Sequence, residues 1–289
     1  MQQYILTDEG DATVVSGKMA RKLPPGYYHA EMDNMGQSLM LLQSVSTTAI
    51  HLDDNQQQFF DRIKAFWLAR PKYAALGLPH KRGFLLWGPP GTGKTTILRA
   101  LVAEVIARKG IAVSHDNKNV HELTKALEAV RDIESTEVPI LIAIEDIETW
   151  EEQRLTTLLD GITDLDNVLF VATTNNIDEV SGRLKNRPSR IDEKIHVGYS
   201  SLESRTHYLR SVMPDIAQGD LNQLLSSSQD ISVAHLKELV IQQQIYGQDI
   251  TALGEAFKLQ CQAASQEYEA KDTSSGEPVI ATNVKRKRH

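Results

Sequence analysis

The segment Gly88-Pro-Pro-Gly-Thr-Gly-Lys-Thr95 decides the fold of this chain. It fits the pattern G-x-x-x-x-G-K-[S/T] at every fixed position. An apolar run at 83–87 precedes it, and the segment that follows, 96–109, has apolar residues at helical spacing. A glycine-rich loop between a strand and a helix lets backbone N–H groups approach phosphate oxygens, and the helix dipole adds positive potential there. The segment therefore predicts a site that binds a nucleoside triphosphate.

Each residue of this loop is expected to contribute to nucleotide binding. The set is Gly88, Pro89, Pro90, Gly91, Thr92, Gly93, Lys94, Thr95 and Thr96. We expect Lys94 to neutralise the β- and γ-phosphates and the hydroxyl of Thr95 to bind a metal ion, so the expected ligands are ATP and Mg²⁺. The alternative is a chance Gly/Pro turn before an amphipathic helix, which the matching strand and helix on either side disfavour.

The composition is that of a globular chain with a full core. Its 289 residues are 41% hydrophobic and 24% charged, which fits one large domain or two smaller ones. No apolar run approaches the roughly 20 residues of a membrane span, and the first residues lack the features of a secretory signal, so no membrane partner is expected. Cys261 is the single cysteine, which favours a reducing compartment such as the cytoplasm. The net charge of −7 argues against a broad nucleic-acid-binding surface.

Strand-like and helix-like segments alternate through the middle of the chain. The strand-like runs are 83–87, 111–114, 140–144, 168–172 and 191–197, and the helical segments are 96–109, 120–130 and 151–160. A further helix is expected to begin after Asp53 and to stop before Pro71. This order predicts an α/β fold, a parallel P-loop NTPase sheet flanked by helices. Only helical patterns occur from 201 to 271, which predicts a C-terminal helical lid.

The first 50 residues differ from the rest. Two strands, at 27–32 and 38–45, are expected around a turn at 33–36, giving a small β-rich N-terminal element. This element could pack on the body of the protein, or it could recognise a substrate or a neighbouring subunit. The predicted division of the chain is 1–50, 51–200 (ATPase), 201–271 (lid) and 272–289 (a disordered polar tail).

Two adjacent carboxylates, Glu145 and Asp146, follow the apolar run that begins at Ile140. In a parallel sheet this end of the strand lies beside the phosphate-binding loop. One carboxylate there can hold Mg²⁺ through its waters, and the other can polarise the attacking water. The pair could instead cap a helix that begins near Trp150, but the phosphate loop favours the catalytic interpretation.

The run from about 59 to 195 resembles the AAA ATPases, a family within the broader AAA+ class. The matching blocks are GLPHKRGFLLWGPPGTGKT (77–95), LIAIEDIE (141–148) and the segment 171–192. The resemblance implies that Glu145 lies on the metal side and that Asp146 activates water. It also implies that Asn175 reads the γ-phosphate and helps to place the attacking water. Because Asn176 is adjacent, the sequence does not decide which of the two asparagines has this role. Arg187 and Arg190 match the arginine-finger segment, whose arginines reach the ATP of the next subunit in a homo-oligomeric ring, usually a hexamer.

The sequence departs from the common family pattern in four places. The order Glu145-Asp146 is reversed, similar to that of the mitochondrial translocases that handle the Rieske iron–sulfur protein. An aspartate has a shorter side chain than a glutamate, so as the base it must lie closer to the attacking water or act through a second water molecule. Slow hydrolysis is compatible with this order. Ser189 replaces a glycine, the region 115–119 lacks an aromatic pore-loop signature, and 232–236 offers no sensor-2 arginine.

Three functions remain open from the sequence alone. The first is a ring-forming motor that remodels a protein or protein complex. The second is a nucleic-acid motor or loader, supported by lysines in 115–119 and by the basic end at 285–288, although a solvated tail is the favoured interpretation of that end. The third is an ATP-gated switch with slow turnover, suggested by the reversed carboxylates.

Overall fold

A seven-stranded sheet is the centre of the computed structural model, which describes residues 2–6, 12–16, 22–32, 38–45, 53–115, 120–161, 165–185 and 190–272. The strands in these ranges are β1 (Gln2–Leu6), β2 (Ala12–Ser16), β3 (Gly26–Met32), β4 (Ser38–Gln43), β5 (Lys81–Trp87), β6 (Ile111–Ser114), β7 (Ile140–Ile144), β8 (Val168–Thr174) and β9 (Glu193–His196). The helices there are α1 (Asp54–Leu68), α2 (Arg70–Ala75), α3 (Lys94–Ala107), α4 (Val120–Ile133), α5 (Glu152–Gly161), α6 (Gly182–Lys185), α7 (Leu202–Val212), α8 (Gln218–Ser227), α9 (Val233–Gln244) and α10 (Thr251–Asp272). The sheet has the order β4-β3-β6-β7-β8-β5-β9, and β1 pairs with β2 apart from it.

The predicted α/β architecture is confirmed. β3, β6, β7, β8, β5 and β9 run parallel, and β4 is antiparallel to β3 at the edge. All five residues of β7 are buried, because helices cover both faces of the sheet. Ile140 and Ile142 pack in the core that α4 and α5 share, whereas Leu141 packs on the other face with α1 and α3. This alternation is why a strand with two covered faces reads as one unbroken apolar run.

The helix predicted after Asp53 is followed by a second, shorter helix. α1 ends at Leu68, and α2 begins at Arg70 with Pro71 in its first turn. Proline is tolerated at this position because the first N–H groups of a helix have no intrahelical partner. The expectation that Pro71 lies beyond the helix is thus met for α1, while the same residue lies in the first turn of α2.

The N-terminal strands are part of the same sheet as the phosphate loop. The predicted pair forms as β3 and β4, while the turn at 33–36 lies outside the described residues. β3 also pairs in parallel with β6, from Gly26 opposite Ile111 to His29 opposite Ser114. β3 therefore adds one more parallel strand to the sheet, and β4 adds an antiparallel strand at its edge, where Leu42 is exposed. The boundary at residue 50 stays a prediction.

The C-terminal helices α7 to α10 surround a core of their own, as expected of a helical lid. Its buried members are Leu209, Leu221, Leu224, Ile231, Leu236, Leu239, Val240, Ile250 and Cys261. A hydrogen bond of 2.6 Å from the hydroxyl of Ser204 in α7 to the carboxylate of Asp53 connects this unit to the start of α1. No helix in the described ranges has both the length and the apolar character that crossing a membrane requires. Residues 116–119 and 273–289 lie outside those ranges.

Candidate nucleotide-binding site

The loop at 88–93 joins the carboxyl end of β5 to α3, as the sequence predicts. Gly91 and Gly93 have φ values of +76° and +103°, a left-handed backbone that residues with a Cβ rarely adopt. Gly93 is the N-cap of α3, so the first N–H groups of that helix face the loop. The hydroxyl of Thr92 donates to the carbonyl of Pro89 at 2.9 Å and closes the loop on itself. Pro90 in the loop and Thr96 in α3 are solvent-exposed.

Lys94 lies beneath this loop. Its ammonium donates to the carbonyl oxygens of Gly88 at 2.7 Å and Pro89 at 2.9 Å, and the residue is 6% exposed. Burial lowers the pKa of Lys94 to about 8, although the negative charges of Asp146 and Glu148 act in the opposite direction. A partly desolvated cation held by carbonyl groups fits a site that receives the phosphates of a nucleotide.

Thr95 and Glu145 meet at the position predicted for Mg²⁺. The Thr95 hydroxyl donates to the Glu145 carboxylate, which is solvent-exposed. Hydroxyl and carboxylate oxygens are ligands that Mg²⁺ prefers, and this ion is commonly held by one or two protein groups together with substrate phosphates. The described residues contain no group of three or more His, Cys, Asp or Glu side chains that could hold a metal ion. The residues present therefore fit Mg²⁺.

Asp146 occupies an unusual backbone conformation directly after β7. Its φ and ψ angles are +49° and +55°, and its N–H donates to the hydroxyl of Thr173 at 3.2 Å. It precedes a 3₁₀ turn (Ile147–Thr149), but its side chain makes no capping hydrogen bond to that turn. Its carboxylate instead accepts a hydrogen bond of 3.2 Å from the side-chain amide of Asn175. This geometry favours the catalytic interpretation over the helix cap.

Asn175 and Asn176 have different surroundings, although the sequence left their register open. Asn175 follows β8 and directs its amide to Asp146. Asn176 is 6% exposed, accepts a hydrogen bond from the N–H of Asp178 at 3.0 Å and donates to the Glu179 carboxylate at 3.0 Å. The side chain of Asn176 thus caps the following 3₁₀ turn, and Asn175 is the asparagine that faces the carboxylates.

Of the two candidate arginine-finger residues, the structure describes Arg190 alone. Arg187 lies outside the described residues. Arg190 is 6% exposed, and its guanidinium donates to the Asp160 carboxylate in α5 by three contacts of 2.7 to 3.0 Å. Because the Arg190 guanidinium is buried and paired within its own chain, with an Asp160 side chain that is 58% exposed, it does not fit the expectation that Arg190 reaches the ATP of a neighbouring subunit.

Two features of the site were not assigned from the sequence. Glu148, inside the block LIAIEDIE, accepts a hydrogen bond of 3.0 Å from the backbone N–H of Asn175. The start of α9 also contacts the loop, since the N–H of Ala234 donates to the carbonyl of Gly91 at 3.3 Å. The position of Glu148, three residues after Glu145, was the available signal for the first. The second contact joins segments more than 140 residues apart, and no local sequence pattern predicts it.

A cavity of about 600 Å³ lies away from this loop, near the amino ends of β7 and β8. Arg70, one of the two arginines that line it, is paired with Glu137 at 2.7 Å and Asp166 at 3.3 Å. A phosphate group entering this cavity would compete with two carboxylates, whereas the loop at 88–93 presents backbone dipoles and Lys94. The nucleotide site is therefore assigned to the loop.

The strand, loop and helix around Lys94, together with the carboxylates at the end of β7, define a P-loop NTPase. Residues 84–199 match the family model described as "ATPase family associated with various cellular activities (AAA)". This segment belongs to the AAA family of P-loop ATPases.

Curated relatives support the same family. An "AAA ATPase forming ring-shaped complexes" from Bifidobacterium animalis subsp. lactis is 28% identical over 227 residues, which cover 66% of this chain and 43% of that protein. The proteasome-activating nucleotidase of Aeropyrum pernix is 26% identical over 272 residues, 79% of this chain and 65% of the relative. The human mitochondrial chaperone BCS1 is 29% identical over 201 residues, 63% of this chain and 48% of the relative. The match thus spans less than half the length of the bifidobacterial protein.

Proposed function

We propose that this chain is a Mg²⁺-dependent ATPase that assembles into a homo-oligomeric ring, hexameric by analogy with its family, and remodels a protein or protein complex. The observation that carries the ATPase proposal is the pair of contacts beside the phosphate loop. Thr95 touches Glu145, and Asn175 touches Asp146. Together with the loop they bring three strand ends into one site.

Each of these groups has a role in hydrolysis. Lys94 binds and neutralises the β- and γ-phosphates, and Thr95 and Glu145 hold Mg²⁺. When bound, Mg²⁺ supplies positive charge that offsets the charge developing on the phosphate oxygens. Asp146 accepts a proton from the water that attacks the γ-phosphorus, while Asn175 orients that water. The bond to the β–γ bridging oxygen breaks, and ADP and phosphate leave.

The ring supplies the rest of the site. Arg187 from a neighbouring subunit is proposed to stabilise the transferred phosphoryl group, because a guanidinium stays charged and binds phosphate oxygens by two hydrogen bonds at once. The name of the bifidobacterial relative, which describes ring-shaped complexes, supports assembly of this kind. The pairing of the buried Arg190 guanidinium with Asp160 makes Arg187 the better candidate of the two.

Mixing two inactive variants tests both hydrolysis and the shared site. Arg187→Ala and Asp146→Asn should each bind ATP and hydrolyse it poorly. When the two are mixed, a site with an intact Asp146 can receive an intact Arg187, which happens at roughly a quarter of interfaces if subunits assemble at random. ATPase activity should therefore return in part, and light scattering should show a large oligomer with ATP.

The control for mixing is Arg154→Ala, which removes an arginine that pairs with Glu151 on the surface of its own chain. This variant should keep full activity alone. A strict monomer in the presence of ATP would contradict the ring, and a mixture as inactive as its components would contradict the shared site.

An ATP-gated switch with slow turnover is the second candidate. It is favoured by the shorter carboxylate, Asp146, at the position proposed for the base. Reversing the order of the two carboxylates by the double substitution Glu145→Asp and Asp146→Glu should raise the hydrolysis rate if the chain is such a switch. A motor adapted to its own order should lose activity on the same exchange.

A further inference from the structure

We propose that Glu148 is a positioning residue for ATP hydrolysis, which holds the backbone of Asn175 so that the side chain of Asn175 meets Asp146. This inference rests on the proposed ATPase function. It goes beyond that function because it concerns a carboxylate with no assigned part in nucleotide or metal binding.

The contacts of Glu148 join the two loops that carry the proposed catalytic groups. Glu148 lies on the 3₁₀ turn after β7, and Asn175 directly follows β8, the neighbouring parallel strand. The Asn175 N–H donates to Glu148 Oε1 at 3.0 Å, and the Asn175 side chain donates to Asp146 Oδ1 at 3.2 Å. Asn175 is therefore held at its backbone by Glu148 and at its side chain by Asp146, two residues of the same segment.

The chain around Asn175 is fixed from its other side as well. The hydroxyl of Thr174 accepts a hydrogen bond from the Asn176 N–H at 3.1 Å and donates to the Asn176 carbonyl at 2.9 Å. The peptide after Asn175 is thus held by Thr174, and the peptide before it is held by Glu148. Together these contacts fix the direction in which the Asn175 side chain leaves the backbone.

The second carboxylate oxygen of Glu148 has an uncommon environment. Oε2 is shielded from solvent and has no hydrogen-bond partner among the residues that the structure describes. A buried acceptor without a partner destabilises the folded state, so its presence calls for a physical explanation. One reason is the bond that Oε1 makes to Asn175, and the other is the negative charge that Glu148 presents to Lys94. The two reasons predict opposite effects of two conservative substitutions.

Glu148→Gln keeps an oxygen that can accept from Asn175 and removes the charge, whereas Glu148→Asp keeps the charge and shortens the reach. If Glu148 positions Asn175, Glu148→Gln should retain kcat within about threefold, and Glu148→Asp should lower it on the order of tenfold or more, as small misplacements of catalytic groups do. KM and the affinity for a fluorescent ATP analogue should stay within about threefold in both, because Asn175 acts on the attacking water.

A double-mutant cycle gives the second readout. The bond from Glu148 goes to the backbone of Asn175, so Asn175→Ala leaves that bond in place and removes only the side chain. Adding Glu148→Asp to Asn175→Ala should then lower kcat by no more than about twofold further, since the group being positioned is gone. Glu151→Ala, three residues along and on the surface, is the matched control and should keep wild-type kcat.

Three results would overturn the inference. They are a Glu148→Asp variant as fast as wild type, a Glu148→Gln variant as slow as Glu148→Asp, and independent effects of Glu148→Asp and Asn175→Ala in the cycle. A wild-type chain that binds ATP but hydrolyses none would overturn the proposed function and this inference with it. Wild-type hydrolysis together with any of the three results would overturn the inference alone.

Discussion

The guanidinium of Arg190, in the turn before β9, is held by the carboxylate of Asp160 in α5, with both carboxylate oxygens engaged at 2.7 and 2.8 Å. Nearby, Asp192 accepts a hydrogen bond from the N–H of Gly83 at 2.8 Å, which fixes the same segment to β5. These two contacts anchor the chain immediately after the segment that carries Arg187. Arg190 is therefore an internal anchor in this structure, and the arginine proposed to act between subunits is Arg187.

Removing Asp160 tests this anchor. Asp160→Ala leaves the buried Arg190 without its carboxylate partner, so we expect the free energy of unfolding to fall by about 1–3 kcal/mol in a denaturant titration. Arg190→Ala should destabilise the chain as well, and the double variant should be less destabilised than the sum of the two. Glu151→Ala, which breaks an exposed pair with Arg154, should change stability by at most about 1 kcal/mol. Two results together would contradict the anchor. They are an Arg190→Ala variant with wild-type stability but no hydrolysis, and an Asp160→Ala variant with wild-type stability and hydrolysis. Arg190 would then again be a candidate arginine finger.

The pKa of Lys94 makes ATP binding depend on pH. Since burial lowers this pKa to about 8, Lys94 is charged below that value and loses its proton above it. The charged form binds the phosphates, so affinity should be constant below pH 8 and fall by up to about tenfold per pH unit above it. Fluorescence anisotropy of an ATP analogue across this range measures the effect. Lys94→Arg, which stays charged throughout, should show a flat profile. A flat wild-type profile would contradict the assignment.

The different surroundings of Asn175 and Asn176 predict different phenotypes. Asn175→Ala removes the amide that meets Asp146, so hydrolysis should fall on the order of a hundredfold while ATP binding and thermal stability stay near wild type. Asn176→Ala removes a buried cap and should lower stability by about 1 kcal/mol, with most of the activity retained. Steady-state kinetics and thermal melts of both variants distinguish the role in hydrolysis from the role in stability. The reverse pattern would shift the γ-phosphate role to Asn176.

Gly91 connects the phosphate loop to the lid. A Cβ at this position would lie 2.7 Å from the hydroxyl oxygen of Ser232, besides requiring a strained φ of +76°. Gly91→Ala should therefore lower both stability and ATP affinity. Gly77→Ala is the matched control, because Gly77 has a similar φ of +66° with nothing within 4 Å of the added atom. The control should lose only the roughly 1–2 kcal/mol of left-handed strain and keep its ATP affinity. Equal effects of both substitutions on ATP binding would contradict a role for the lid contact.

Most of the fold could be predicted from local patterns. The strand at 111–114 and the five buried residues of β7 were given by apolar runs, because a strand covered on both faces needs no polar positions. The pairing of β3 with β6 could not be predicted, since its partners are 85 positions apart, as Gly26 and Ile111 show. Backbone hydrogen bonds between strands carry no residue code, so the sequence shows that a strand exists and not where it joins a sheet.

For the site, the sequence by itself determined the phosphate loop and the carboxylates Glu145 and Asp146, because their chemistry depends on residue type and close spacing. Tertiary structure alone decided which asparagine faces Asp146, that Glu148 holds its backbone, and that Arg190 is occupied by Asp160. These are contacts between segments 27 to 30 residues apart in sequence. The direction of a side chain and the identity of its partner depend on how strands and helices pack, and a residue type that suits two roles receives one only in the folded chain.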